Sequence, residues 1–295
     1  MTRPKAFGSF VLRHGKLFRT SAYIQWGKSS KSLGAVLMLN PGSADFGRMS
    51  PDLEARLKNY GAAMGAIRTD PTMEQLIQLV ERIYEDRSSL GGRLQIYNLF
   101  HLQETNAAQA ITTFESLVNR HKLTITQSLV TVDELKTHPW ILVGWGLSYN
   151  RQWKNLKAIK DQWLEHIRLS GIPKFGIMNQ RGDYCHPCPL ITSERPIILK
   201  ELVHVFTKTV KPLLPSEKNV LARYTLLRWN NQRGDEARFI VRNNRTGTQS
   251  LVTPRRPQDT VWFHYDLAAD ESVEEWTTCD DKSVDDLKFI NFYKE

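Results

Sequence analysis

Cysteine is scarce: Cys185, Cys188 and Cys279 are the only three in 295 residues. An odd, scattered trio makes no disulfide framework and points to a reducing cytoplasm. It also falls short of the four ligands a structural zinc site needs, so Cys185-His186-Pro187-Cys188 raises no expectation of a metal. No apolar stretch approaches the roughly 18 residues that span a bilayer. The start, Met1-Thr-Arg-Pro-Lys-Ala-Phe, is basic but leads into no apolar signal-peptide core. A Walker loop, a Gly-x-Gly-x-x-Gly turn, a Gly-x-Ser-x-Gly elbow and a His-Glu-x-x-His helix are all missing. ATP-dependent, nicotinamide-dependent and serine-hydrolase chemistry thereby lose their usual support, and no cofactor is expected. Internal repeats and low-complexity tracts are missing too.

What is abundant is positive charge, unevenly placed. The net charge is +9, yet residues 216–295 hold 12 Lys+Arg against 14 Asp+Glu, leaving 28 basic against 17 acidic groups in residues 1–215. An excess of +11 over one part of a chain calls for an anionic partner, and nucleic acid is the commonest. Within the remainder, residues 223–256 carry eight arginines against two acids, and residues 257–295 eleven acids against three lysines. The basic stretch can meet a phosphate backbone or pair with the acidic one in cis; both readings stay open.

Short β-like runs come first: Gly8–Leu12, Ala22–Trp26 and Ala35–Leu39, separated by basic loops. Apolar residues at 73, 76, 77, 79, 80, 83 and 84 form a helical stripe from Met73 to Arg87, started by Asp70-Pro71-Thr72. A strand ending at Asn98 follows, then a helix over 106–120, an undecided stretch over 123–135, and a strand over 140–145. Trp153, Leu156, Ile159, Trp163, Leu164 and Ile167 mark a further helix over 151–170. A strand over 174–178 and a helix over about 196–211 complete the series. Strands alternating with helices predict an α/β fold, a mainly parallel central sheet with helices on both faces. Pro212-Leu-Leu-Pro215 reads as a linker, so residues 1–213 form this α/β domain. Residues 216–295 form a small β-rich domain with runs at Tyr224–Trp229, Ala237–Val241, Gln249–Val252 and Thr260–Tyr265.

The chemistry gathers where strands end. Leu39-Asn40-Pro41-Gly42 stops an apolar run at a turn that cannot continue a strand. Ile96-Tyr97-Asn98, Val143-Gly144-Trp145-Gly146 and the loop His186-Pro187-Cys188-Pro189-Leu190 repeat the style. In α/β sheets such ends face the ligand crevice. In this order the four motifs resemble the uracil-DNA glycosylase superfamily over residues 33–210, with nothing matching beyond. Asn40-Pro-Gly-Ser-Ala-Asp45, Asp70-Pro71-Thr72, Asn98-Leu99-Phe100 and Trp145-Gly146 also resemble an uncharacterised bacterial and phage domain family. Some branches of the superfamily carry an iron–sulfur cluster on four cysteines, which three cannot supply.

The resemblance implies a monofunctional DNA glycosylase: it binds DNA, flips a base out of the stack and hydrolyses its glycosidic bond to leave an abasic site. The partner is DNA, double-stranded or locally single-stranded, and the protein is expected to be a monomer. Asn40 would position the water, and His186 would donate to the base oxygen on which negative charge develops. Asn98, one acceptor and two donors, would read a pyrimidine edge. Leu190 would wedge into the duplex as the base leaves it. Gly42 stands where the uracil-specific branch has Tyr, so the pocket should admit bases enlarged at C5, such as hypermodified phage pyrimidines; that would make the protein an antiviral defence enzyme. Ser43 and nearby amides could hold a phosphate, Asp45 could assist the water or the sugar, and Phe46 or Phe100 could stack on the base. Two alternatives remain: a non-catalytic nucleic-acid-binding module, and a nucleoside or nucleotide hydrolase.

Overall fold

The computed structural model describes residues 3–47, 50–84, 90–146, 150–180 and 182–214, with the backbone of four further strands between 224 and 266. Cys279 and the acidic stretch from 267 onward lie outside the described residues. The chain divides into two compact units, Met1–Leu213 and Leu214–Glu295.

The first unit is built on a seven-stranded sheet. Its strands are β1 (Lys5–Arg13), β2 (Lys16–Trp26), β3 (Ser32–Met38), β4 (Ala62–Ile67), β5 (Gly92–Asn98), β6 (Ile141–Val143) and β7 (Lys174–Phe175), in the order β4-β1-β2-β5-β3-β6-β7. The expectation of a mainly parallel sheet holds for half of it. The β5–β3, β3–β6 and β6–β7 pairs are parallel, whereas β4–β1, β1–β2 and β2–β5 are antiparallel. One of these antiparallel pairs has a local cause, the two-residue hairpin of β1 and β2: Arg13 pairs with Lys16, and the intervening His14 and Gly15 both take positive φ, 52° and 68°. A turn that tight can join only antiparallel neighbours.

The helices are α1 (Pro51–Tyr60), α2 (Pro71–Ile83), α3 (Ala107–Asn119), α4 (Val132–Lys136), α5 (Lys154–Ser170) and α6 (Arg195–Thr209). They cover both faces. Ala35 and Leu37 of β3, with Ile141 and Val143 of β6, share one apolar cluster with Ile111 and Phe114 of α3 and Ile159 and Trp163 of α5. Val36, Met38 and Leu142 alternate to the opposite face. There Trp140 and Phe175 pack edge-on against Phe206 of α6, ring centroids 5.7 and 5.2 Å apart. Helix α2 has Pro71 at its first turn and Asp70 as its cap, Oδ1 accepting from the Met73 N–H at 2.8 Å.

Helix α1 and strand β4 have no counterpart in the sequence pattern, since only Leu57 of α1 is buried and β4 is mostly small residues. The strand expected over 174–178 is only two residues long; beyond it Met178 bridges to Tyr184. In the second unit, β8 (Tyr224–Asn230), β9 (Arg238–Asn243), β10 (Gln249–Pro254) and β11 (Trp262–Asp266) form an antiparallel sheet in the order β11-β10-β9-β8. Ala237, Thr260 and Val261 of the runs read from sequence lie outside the described residues. No helix among the described residues is long and apolar enough to cross a membrane.

Candidate functional site

Strands β3, β5 and β6 run parallel, so their C-terminal ends emerge side by side. The segments that follow them, with the N-terminus of α2 and the loop before α6, enclose a cavity of about 650 Å³. Six residues picked out by sequence line it together: Asn40, Gly42, Ser43, Asn98, His186 and Leu190. Two do not. Phe46 is a core residue, 3% exposed with its ring 4.8 Å from that of Phe10, so it cannot stack on a ligand. Asp45 turns away to Arg68, 3.7 Å distant, and is not part of the lining. Phe100, the other stacking candidate, is buried against Phe114 with the rings 4.5 Å apart.

The loop after β3 is held from below. Asn40 Nδ2 donates to the carbonyls of Pro41 (2.9 Å), Leu102 (3.4 Å) and Glu104 (2.7 Å). Gln103 Nε2 donates to those of Gly42 (3.2 Å) and Ala44 (3.0 Å). Three carbonyls around one amide nitrogen fix the orientation of the Asn40 side chain, and its Oδ1 stays uncommitted. Gly42 does not face empty space: a Cβ there would sit 3.1 Å from Asp70 Oδ2. Where a larger residue would wall the cavity, this chain presents a carboxylate.

His186 reaches the cavity on a loop packed tightly against the β6 end. A Cβ on Gly144 would lie 2.7 Å from Pro187 Cδ, so the close approach requires glycine. His186 Nδ1 meets the Cys188 carbonyl at 2.8 Å and the Cys188 N–H at 3.1 Å. The tautomer that accepts from the N–H leaves Nε2–H as a donor; the other leaves a lone pair there. Burial holds the imidazole below its ordinary pKa, while the Cys188 backbone contact and the Asp70 carboxylate pull upward. A neutral imidazole is therefore favoured. Trp145 closes one edge, its Nε1 donating to Asp183 Oδ1 at 2.7 Å.

The floor is more polar than the sequence suggested. Asn98 is 3% exposed and its Oδ1 has no hydrogen-bond partner. Beside it lies Arg19 of β2, 4% exposed, with Nε and Nη1 likewise unpartnered. Burial brings that guanidinium down to about 10, with the nearby Asp70 carboxylate acting the other way, so it remains a cation at neutral pH. Arg19 escaped sequence reading because Lys16–Ser21 reads as a basic loop before the apolar run of Ala22–Trp26. Asp70, Glu104 and Arg195 also line the cavity. At the rim, Leu190 is 96% exposed and Ile191 58%. Cys185 and Cys188 are free thiols, both raised in pKa chiefly by burial. Among the described residues no group of three His, Cys, Asp or Glu side chains is arranged to hold a metal.

No protein-family model, curated protein or solved structure matches the chain.

Proposed function

We propose that the cavity receives a base flipped out of DNA and that the protein hydrolyses its N-glycosidic bond. The observation that supports this most is the company Leu190 keeps. A leucine exposed to 96% of its surface stands at the rim of a cavity whose interior presents Asn40, Asn98 and His186. A lone exposed leucine is ordinary on a protein surface. This one stands with Ile191, 58% exposed, at the mouth of a polar cavity, where a partner that covered both would also reach the cavity. A gap left in a base stack would cover them, and the departed base would enter the cavity next door. The volume of about 650 Å³ lies within the range of small-molecule sites and leaves room for a base with a substituent.

As the bond breaks, its electron pair goes to the base and the sugar becomes an oxocarbenium-like cation. Asn40, with Nδ2 anchored, offers Oδ1 to orient the attacking water. Asn98 offers both amide groups to the base edge. His186 in its Nε2–H form donates to an oxygen that gains charge, a role that needs no protonated imidazole. Water adds to the sugar carbon, and the proton it loses balances the base anion.

A substituent at C5 of a pyrimidine would pass Gly42 and meet Asp70 Oδ2, which favours one that carries a hydroxyl or amine. Such bases occur in hypermodified phage DNA, and their removal in the cytoplasm would be a defence. The basic excess of residues 1–215 suits a DNA partner. A nucleoside hydrolase could use the same cavity but would have no use for the exposed Leu190.

The test is incubation of the full chain with unmodified DNA and with DNAs carrying C5-extended cytosines and uracils. Alkaline cleavage and mass analysis of released bases follow. A freed base, lost in Asn40→Ala, supports the reading; tight, salt-dependent binding with no base released from any DNA ends it in favour of a non-catalytic module.

A further inference from the structure

Arg19 stands out among the buried cations of the described residues, and the way the backbone delivers it is informative. In β1–β2, Ser9 pairs with Ser21 but Phe10 pairs with Arg19, so Thr20 is the extra residue of a β-bulge. Further along β2, Ala22 pairs with Ile96 of β5 and shares its face. Regular alternation from Ala22 would send Arg19 to the opposite face, into the apolar cluster that holds Phe18. The bulge reverses that alternation. It puts Phe18 in the cluster and turns Arg19 onto the face of Ile96 and Asn98, where all three line the cavity.

A guanidinium delivered in this way should be paired. Instead Nε and Nη1 are buried without a partner, and no ion pair within 4 Å joins Arg19 to Asp70. Leaving charged donors dry and unpaired is costly, and a fold keeps such an arrangement where a ligand recovers the cost. On the same face Asn98 Oδ1 is a dry acceptor, and both residues line the cavity. The floor thus asks for a group that accepts hydrogen bonds where it meets Arg19 and donates one where it meets Asn98. An exocyclic oxygen beside a ring N–H has that pattern; adenine, with no oxygen, lacks it.

We infer that Arg19 contacts an exocyclic oxygen of the excised base and holds the negative charge that collects there as the glycosidic bond breaks. This rests on the glycosylase reading and names its substrate class: an oxygen-bearing base, held at its oxygen by Arg19 and at the neighbouring N–H by Asn98. The bond's electron pair passes to the base and is shared with that oxygen. Water's oxygen bonds to the sugar carbon, and the water proton neutralises the base. Arg19 keeps its own proton throughout and acts by position and charge.

The experiment compares wild type, Arg19→Met and Arg19→Lys in single-turnover release of the base that wild type removes. The same base is also tested with each exocyclic oxygen replaced in turn by sulfur, a weaker acceptor. Methionine fills the buried space without charge, and thermal melting checks that each variant folds. The expected result is a loss of about 100-fold or more in Arg19→Met with a smaller loss in Arg19→Lys. One oxygen-to-sulfur exchange should slow wild type about 10-fold and Arg19→Met not at all, since the two changes remove the same contact. A structural role would slow oxygen and sulfur substrates alike, and that outcome, or an unimpaired Arg19→Met, overturns the inference while leaving the glycosylase reading intact. A wild type that releases nothing from any DNA overturns both.

Discussion

Tyr97 and Asn98 are consecutive residues of β5, and each buries a polar side chain, on opposite faces of the sheet. On the α5 side the Tyr97 hydroxyl donates to Glu134 Oε1 at 2.7 Å and meets His138 Nε2 at 2.8 Å. His138 Nδ1 in turn meets Ser32 Oγ at 2.7 Å. Every hydrogen in that chain has a place: Ser32 to His138, His138 to Tyr97, Tyr97 to Glu134. On the other side Asn98 Oδ1 and two nitrogens of Arg19 have no partner. A satisfied network stabilises the fold and has nothing left to give a ligand. An unsatisfied one weakens the fold and is ready to bind. On the proposed function, that difference, more than the residue types, sets the ligand-facing side of β5 apart from the structural one.

Removing each of the two neighbours in turn tests the contrast between the faces most directly. Asn98→Leu should lower single-turnover base release about 1000-fold, because a positioned donor and acceptor leave the site. Its melting temperature should hold or rise, since an unpaired buried amide is replaced by apolar volume. Tyr97→Phe should do the reverse. It strands the half-buried His138, while the exposed Glu134 turns to water, costing about 1 kcal/mol, or several degrees of melting temperature, with release per folded molecule unchanged within about twofold. Were Tyr97→Phe to cost activity and Asn98→Leu stability, the assignment of the two faces would be inverted.

Acid probes the satisfied face without mutation. His138 is held down to about 4 by burial, and His101 to about 4 by burial and then by Arg13 and Arg19. As pH falls below the ordinary imidazole value of about 6.5, the unfolded chain takes up protons that the folded one refuses. The stability tied to neutral imidazoles is therefore complete above about pH 6.5 and is lost progressively toward pH 4, about 3 kcal/mol for each group at most. Melting followed from pH 7 to pH 4 should fall steeply in wild type. In His138→Gln it should start lower and fall less; identical slopes would remove His138 from the account.

Much of the site was legible because its residues end strands abruptly. Asn40 stops at Pro41-Gly42, Asn98 closes an apolar run, and Gly144-Trp145-Gly146 cannot extend one; parallel pairing of β5, β3 and β6 then gathers these ends by geometry alone. What escaped depended on registers that no local pattern encodes. Arg19 is aimed by a bulge at Thr20, visible only once β1 pairs with β2. The antiparallel β1–β2 pair turns at His14-Gly15, which lacks the Asn-Gly or Asp-Gly signature of such hairpins. Helix α1, Pro-Asp-Leu-Glu-Ala-Arg-Leu-Lys-Asn-Tyr, buries a single side chain and so shows no apolar stripe. Phe46 was misplaced because it follows the cavity residues Gly42 and Ser43 within a few positions, whereas its partner Phe10 is thirty-six positions away.

Leu190 offers the smallest expected effect and the finest discrimination, because it belongs to neither network. At 96% exposure it packs on almost nothing, so Leu190→Ala should leave the melting temperature unchanged. Whatever it contributes must then come from contact with a partner. If it fills the gap left by a flipped base, its truncation should slow release from duplex DNA about 10-fold, the scale set by an unstacking cost of a few kcal/mol that the wedge only partly offsets. On a single strand carrying the same base there is no stack to open, and the two proteins should run at the same rate. Equal loss on both substrates would make Leu190 a lip of the cavity that touches the base itself. No loss on either would remove the feature that most favours a duplex over a free nucleoside.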